Sequence, residues 1–205
     1  MRLVEIQLAL DERPLPPRVA ALLDHAKNRV DELEDKSRAA IPAFVPSDFA
    51  LVFRALAEIQ SANLATGRRF LEWGSGMGVV ACLAAELGFE AAGLEIEPSL
   101  VHIADEIARL HGFEVQFICG SFVPAALVDR VEVTGDVHWL TTTDADDGYR
   151  ELQLEPDDFD VIFAYPWPGE EQVLFDIFTN CASVGALLLT YHGQEGMRLQ
   201  RKLRR

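Results

Sequence analysis

The sequence predicts an α/β domain: a doubly wound, mostly parallel sheet with helices on both faces, behind a helical N-terminal segment. Three observations carry this. From Arg69 onward, short apolar runs alternate with stretches of helical periodicity, giving five strands. Glycine and proline punctuate the helical stretches at their ends. The 205 residues are 49% hydrophobic and 25% charged, an ordinary globular composition long enough for one sizeable core.

The part up to Ser61 reads as helical. Pro16 and Pro17 open a helix whose Val19, Leu22, Leu23, Ala26, Val30 and Leu33 share one face. IPAFVP then forces an extended turn, and Ser47 is the expected cap of a second helix, SDFALVFRALAEIQSAN. This divides the chain into a helical segment or lid over 1–61 and a ligand-binding domain over 62–205. RRFLEW is the first strand, and MGVVACLAAELG a buried helix with Gly88 as its stop. EAAGLEIE is the second strand, followed by the helix PSLVHIADEIARLHG. FEVQFICG, DFDVIFAYPWP and GALLLTYHG are the third, fourth and fifth strands, with the helix GEEQVLFDIFTNCAS before the last.

Charge narrows the function classes. The net charge is −15, and the terminal RLQRKLRR holds five of the 18 basic residues. Without them the body has 13 basic against 33 acidic residues. Such a body repels phosphate backbones, so nucleic acid is a poor first candidate for a partner. The basic tail reads as a solvated helix end, with contact to RNA or an acidic partner as the alternative. No apolar run is long enough for a membrane span, and the N-terminus lacks the pattern of a signal peptide. Three widely spaced cysteines without C-x-x-C fit reduced thiols and a cytoplasmic location.

The chemistry sits in FLEWGSGMGVVACLAAELGFEAAGLEIEPSLV. Glu72 ends the first strand, glycines follow at 74, 76 and 78, and Glu95 ends the second strand 21 residues after Gly74. A glycine turn lets a ligand approach the backbone, and an acid at that distance grips ribose hydroxyls. A dinucleotide fingerprint would need glycine where Val79 stands, and Glu72 would repel a pyrophosphate at the helix N-terminus. No Gly-Lys-Ser/Thr of a phosphate loop follows. A ligand without phosphate but with positive charge removes the conflict.

EWGSGMG followed by GLEIEPSLV resembles the first motif and the acidic second-strand end of class I S-adenosylmethionine-dependent methyltransferases, over roughly residues 69 to 192. The resemblance implies a Rossmann-like domain and methyl transfer from S-adenosyl-L-methionine to an N, O or S atom. It implies that Glu72, Gly74, Ser75 and Gly76 line the methionine part, that Gly78 permits close packing, that Glu95 holds the ribose and that Ile96 lies on the adenine. Gly120, Ser121 and Phe122 fall near the adenine amine, with Ser121 where the family often has an acid. The fourth-strand loop, Ala164 to Glu171, would face the transferred methyl. There the usual Asp/Asn-Pro-Pro-aromatic head is replaced by Ala164 and Tyr165, leaving Tyr165 and Trp167 as the candidate catalytic residues.

Tyr165 and Trp167 equally suit a rigid turn covering the core. Glu170 and Glu171 favour the next helix N-terminus or attract a basic substrate, the former being the better reading. Phe44–Phe49 is a lid or only a helix start. His138 and His192 are candidate bases, more simply read as structural. Asp144–Gly148 resembles a calcium loop with its third acid misplaced, so no metal site is expected. Family members usually end in a helix and an antiparallel hairpin, for which the residues after His192 are too few. An insertion containing VEVTGDVHWLTTT and YRELQLE alternates enough to supply one. The expected acceptor is a protein amine such as lysine, with a small metabolite second. A non-catalytic cofactor-binding module and a nicotinamide-dependent oxidoreductase are the rivals.

Overall fold

The computed structural model describes residues 1–36, 45–128 and 147–204. The strands are β1 (Arg2–Ile6), β2 (Arg69–Trp73), β3 (Glu90–Glu95), β4 (Val115–Cys119), β5 (Val161–Ala164), β6 (Leu187–Tyr191) and β7 (Met197–Leu203). The helices are α1 (Pro17–Lys36), α2 (Phe49–Ser61), α3 (Val79–Glu86), α4 (Pro98–His111), α5 (Gly148–Leu152) and α6 (Glu171–Cys181). All seven strands form one sheet in the order β1-β7-β6-β5-β2-β3-β4. The five strands expected from the sequence, β2 to β6, are parallel, and β7 runs antiparallel to both neighbours.

Period-two alternation divides the core between the two faces. On one face Phe70, Phe117, Phe163 and Leu189 pack with apolar residues of α1 to α4. On the other, Leu71, Trp73, Leu94 and Ile162 pack with α5 and α6. The consecutive buried residues of β5 follow from this double cover. The order reverses at β2, whose neighbours are β3 and β5. Crevices at such reversals, beyond the strands' carboxyl ends, are where ligands bind in open α/β sheets.

Four expectations are corrected. The first 61 residues are not helical throughout, because Arg2–Ile6 pairs with β7 as an edge strand. The basic tail is not a solvated helix end. It is β7, whose Leu199 is buried while Lys202 donates to the carbonyl of Ala182 just past α6. Arg201 likewise donates to the Leu64 carbonyl at 2.6 Å. Long side chains of this kind bury their stems and spend their charge on rim carbonyls, so a basic run can still be a strand. The sheet is thus completed from both chain ends. YREL is helix in α5, because Asp147 caps it at Tyr149 N and Tyr149 and Leu152 are buried together. Gln153 ends that helix with φ 57°, whereas VEVTGDVHWLTTT, His138 within it, and Asp144–Asp146 lie outside the described residues, as does Phe44. Asp48 rather than Ser47 caps α2, its carboxylate accepting from Leu51 N at 3.0 Å.

Candidate active site

At the carboxyl ends of β2, β3, β5 and β6 lies a cavity of about 910 Å³. Its floor is the turn from β2 into α3. Gly74, Gly76 and Gly78 all have positive φ there, at 66°, 52° and 70°. Gly78 starts α3, and a Cβ on it would lie 2.3 Å from Phe117 Cζ. Gly78 therefore sets the fit of helix on sheet. It is the single sequence-predicted cofactor residue that does not line the cavity. A Cβ on Gly74 would meet nothing within 4 Å, so that part of the turn faces open space.

Having no side chain, Gly78 cannot cap α3. Alternation along β2 turns Glu72 toward α3 instead, and its Oε2 accepts from Ala81 N at 2.9 Å. Glu72 thus occupies the helix N-terminus that would otherwise receive a phosphate. Burial holds its carboxyl well above the usual carboxylate range. The Ala81 N–H opposes this and the Glu95 charge adds to it. Such a group keeps its proton when folded at pH values where the unfolded chain has lost it. Its stability contribution is therefore full below the ordinary value of 4.5 and declines as pH rises toward the folded value. Glu72→Gln keeps an oxygen for Ala81 N–H without the ionisation. Its melting temperature should exceed the wild type's at about pH 7 and converge on it near pH 4. Melts across this range that show no gain at pH 7 would contradict the assignment.

Glu95 closes the opposite side. Its Oε2 accepts from Gly76 N at 2.8 Å and its Oε1 from Glu97 N at 3.0 Å. Burial raises its carboxyl above the usual range, with the N–H groups of Glu97 and Gly76 opposing. The Ile96 N–H opposes the shift as well, so three backbone N–H groups act on this carboxylate. Between the two acids, Ser75 Oγ is buried with no hydrogen-bond partner among the described residues, although the Ser75 backbone is tied to Leu94 and Gly78. Its oxygen lies against β3, 2.8 Å from where a Cβ on Gly93 would stand.

The remaining predicted residues converge here. Ile96, Gly120, Ser121 and Phe122 line the β3–β4 side. Ser121 Oγ is taken by Val123 N at 3.1 Å, so it shapes the loop. Phe122 stacks on Trp73 with ring centroids 5.1 Å apart, and Trp73 Nε1 donates to the Tyr149 hydroxyl at 2.8 Å. Tyr165 and Trp167 line the far side, with Tyr165 meeting Tyr191 edge-on at 4.8 Å. Val45, Pro46, Ser47 and Phe49 of the expected lid segment also line the cavity. Sequence reasoning missed Met77, Leu100, Phe163 and Phe175, which look like ordinary core, and Arg198, hidden in the basic tail. Among the described lining residues, six glutamates (Glu72, Glu95, Glu97, Glu170, Glu171, Glu195) face one arginine, Arg198. The cavity suits a cation, and no cluster of metal ligands is found among the described residues.

No protein-family model and no curated protein sequence matches the chain. Solved structures do. An RNA methyltransferase from Salinibacter ruber, in complex with S-adenosyl-L-homocysteine, is 21% identical with a TM-score of 0.52, over 77% of this chain and 92% of that one. A methyltransferase from Podospora anserina, also bound to S-adenosyl-L-homocysteine, is 15% identical with a TM-score of 0.55, over 88% and 64%. An O-methyltransferase from Bacillus cereus, in the same kind of complex, is 18% identical with a TM-score of 0.50, over 87% and 67%. The chain has the Rossmann-like fold of class I S-adenosylmethionine-dependent methyltransferases.

Proposed function

We propose that the protein transfers a methyl group from S-adenosyl-L-methionine to an amine. The observation that carries this is the glycine turn between two buried acids on an acidic cavity. Glu72 already fills the α3 N-terminus, so a dinucleotide pyrophosphate has no docking point, while a ligand with a sulfonium and an ammonium meets the acidic lining of Glu95, Glu97, Glu170 and Glu171. In this reading Glu95 accepts from the ribose hydroxyls, Ser75 and the Gly74–Gly76 backbone hold the methionine part, and Ile96 and Phe122 flank the adenine. When bound, the cofactor supplies an electrophilic methyl on a sulfonium, which becomes a neutral thioether as the acceptor gains the methyl. The protein's work is to hold both partners in line and exclude water. The acid excess and the Tyr165–Tyr191 pair support a cationic acceptor, a protein lysine before a small amine. With β1 and β7 completing the sheet, a non-catalytic module loses one of its two supports, the other being Ala164 and Tyr165 in place of the usual acceptor side chain.

Melting with and without S-adenosylmethionine tests the cofactor. The wild type should be stabilised by it and not by NAD. Glu95→Ala should lose on the order of 2 kcal/mol of affinity, about 30-fold, as a charge-assisted contact commonly does. No ligand-dependent rise in the wild type sinks the reading. Labelled methyl incubated with lysate should enter the protein fraction, or else small amines. Label in nucleic acid overturns the amine assignment.

A further inference from the structure

We infer that His192 is the base that removes the proton from the ammonium form of the acceptor. This rests on the methyl-transfer reading above. A cavity rich in carboxylates creates a difficulty for that reaction. It draws in the protonated amine, whose ordinary pKa is about 10.4, and favours its staying protonated. An ammonium has no lone pair with which to attack a methyl group. A neutral proton acceptor beside the amine removes this difficulty.

His192 lines the cavity just beyond β6. Its Nε2 lies 2.8 Å from Oγ1 of Thr190, a residue with no exposed surface, so the ring is held from a rigid strand. In the tautomer whose Nε2–H donates to Oγ1, the Nδ1 lone pair is left to accept a proton. The turn itself is closed by His192 N donating to Gly196 O at 2.8 Å and Glu195 N donating to His192 O at 3.2 Å. The next residue, Gly193, faces the Tyr165 hydroxyl, 3.7 Å from where its Cβ would lie. The imidazole and Tyr165 both line the cavity.

The groups acting on the ring are Arg198 from β7, Glu171 from α6 and Glu195 from the turn itself, with Glu195 ion-paired to Arg198 at 2.8 Å. Burial first, then Arg198, holds the imidazole below its ordinary 6.5, and the two glutamates oppose them. The ring is consequently neutral at physiological pH. In the step itself an acceptor N–H bond breaks and its proton moves to Nδ1, its electron pair staying on nitrogen. This leaves a neutral amine and an imidazolium, which returns the proton to solvent after the product leaves.

His192→Asn tests this, using a lysine-rich peptide as acceptor probe and calorimetry for cofactor affinity. The wild-type rate should fall with one proton below the His192 pKa, and the His192 ring signals in an NMR titration should change over the same pH range, below 6.5. His192→Asn should lower the rate at neutral pH by about 10²-fold and abolish that acid limb, with cofactor affinity unchanged within about twofold. An acid limb and rate preserved in His192→Asn overturn the inference, as do His192 signals that titrate above 6.5 or outside the range of the rate. A wild type that binds no S-adenosylmethionine defeats the underlying reading instead, which calorimetry on that protein alone decides.

Discussion

Gly76→Val is expected to abolish detectable binding of S-adenosylmethionine while leaving the sheet folded. Gly76 has a φ of 52°, a region that branched side chains avoid strongly. Adopting it costs an L-residue about 1–2 kcal/mol before any contact is considered. Relaxing that strain would move the Gly76 N–H, which Glu95 Oε2 accepts at 2.8 Å. One substitution thus places a branched group on the cavity floor and unseats the carboxylate assigned to the ribose. The flanking β2 and α3 remain anchored by buried Leu71, Val80 and Leu83. Thermal melts decide the matter. The wild type should gain about 2.7 kcal/mol at a cofactor concentration 100 times its Kd, and the variant nothing. A variant that still shows a ligand-dependent rise removes the glycine turn from the binding site.

Legibility followed the kind of constraint each segment carries. Four of the five parallel strands are buried along most of their length and read as apolar runs bounded by glycine or proline, and the edge strand β4 keeps Phe117 and Ile118 buried. The glycine turn and its two acids were visible for the same reason: backbone geometry and buried charge permit few residue types there. The outer strands obey weaker rules. β1 lies at the edge, half-exposed, and packs only Leu3 and Ile6 against the core, so five residues with two charges carry no clear period. In β7 the deciding partners, the carbonyls of Leu64 and Ala182, are 137 and 20 residues away in sequence. No local pattern announces that a lysine stem will be buried. The double role of Glu72 was hidden in another way. Its proximity to the glycines suggested a ligand contact, whereas its bond to Ala81 N depends on which face alternation gives it.

Tyr165→Ala should reduce turnover by about 10²-fold, the size of effect that loss of a positioning group produces. Tyr165 follows β5 at the cavity wall, half-buried, and braces edge-on against Tyr191. Edge-to-face pairs of this kind contribute about 0.5–1.5 kcal/mol beyond their buried area, so the ring is held rather than floating. A fixed ring can present its face to a cationic acceptor, or its hydroxyl beside Gly193. Cofactor affinity should change far less, because Glu95, Ser75 and Ile96 belong to other loops. Tyr165→Phe separates the two roles: retained activity assigns the ring face, and lost activity the hydroxyl. The competing role is support for the core, through Tyr191. In that case Tyr165→Ala lowers the melting temperature and leaves the rate per folded molecule intact, and the substrate wall must be sought at Trp167 and Phe175 instead.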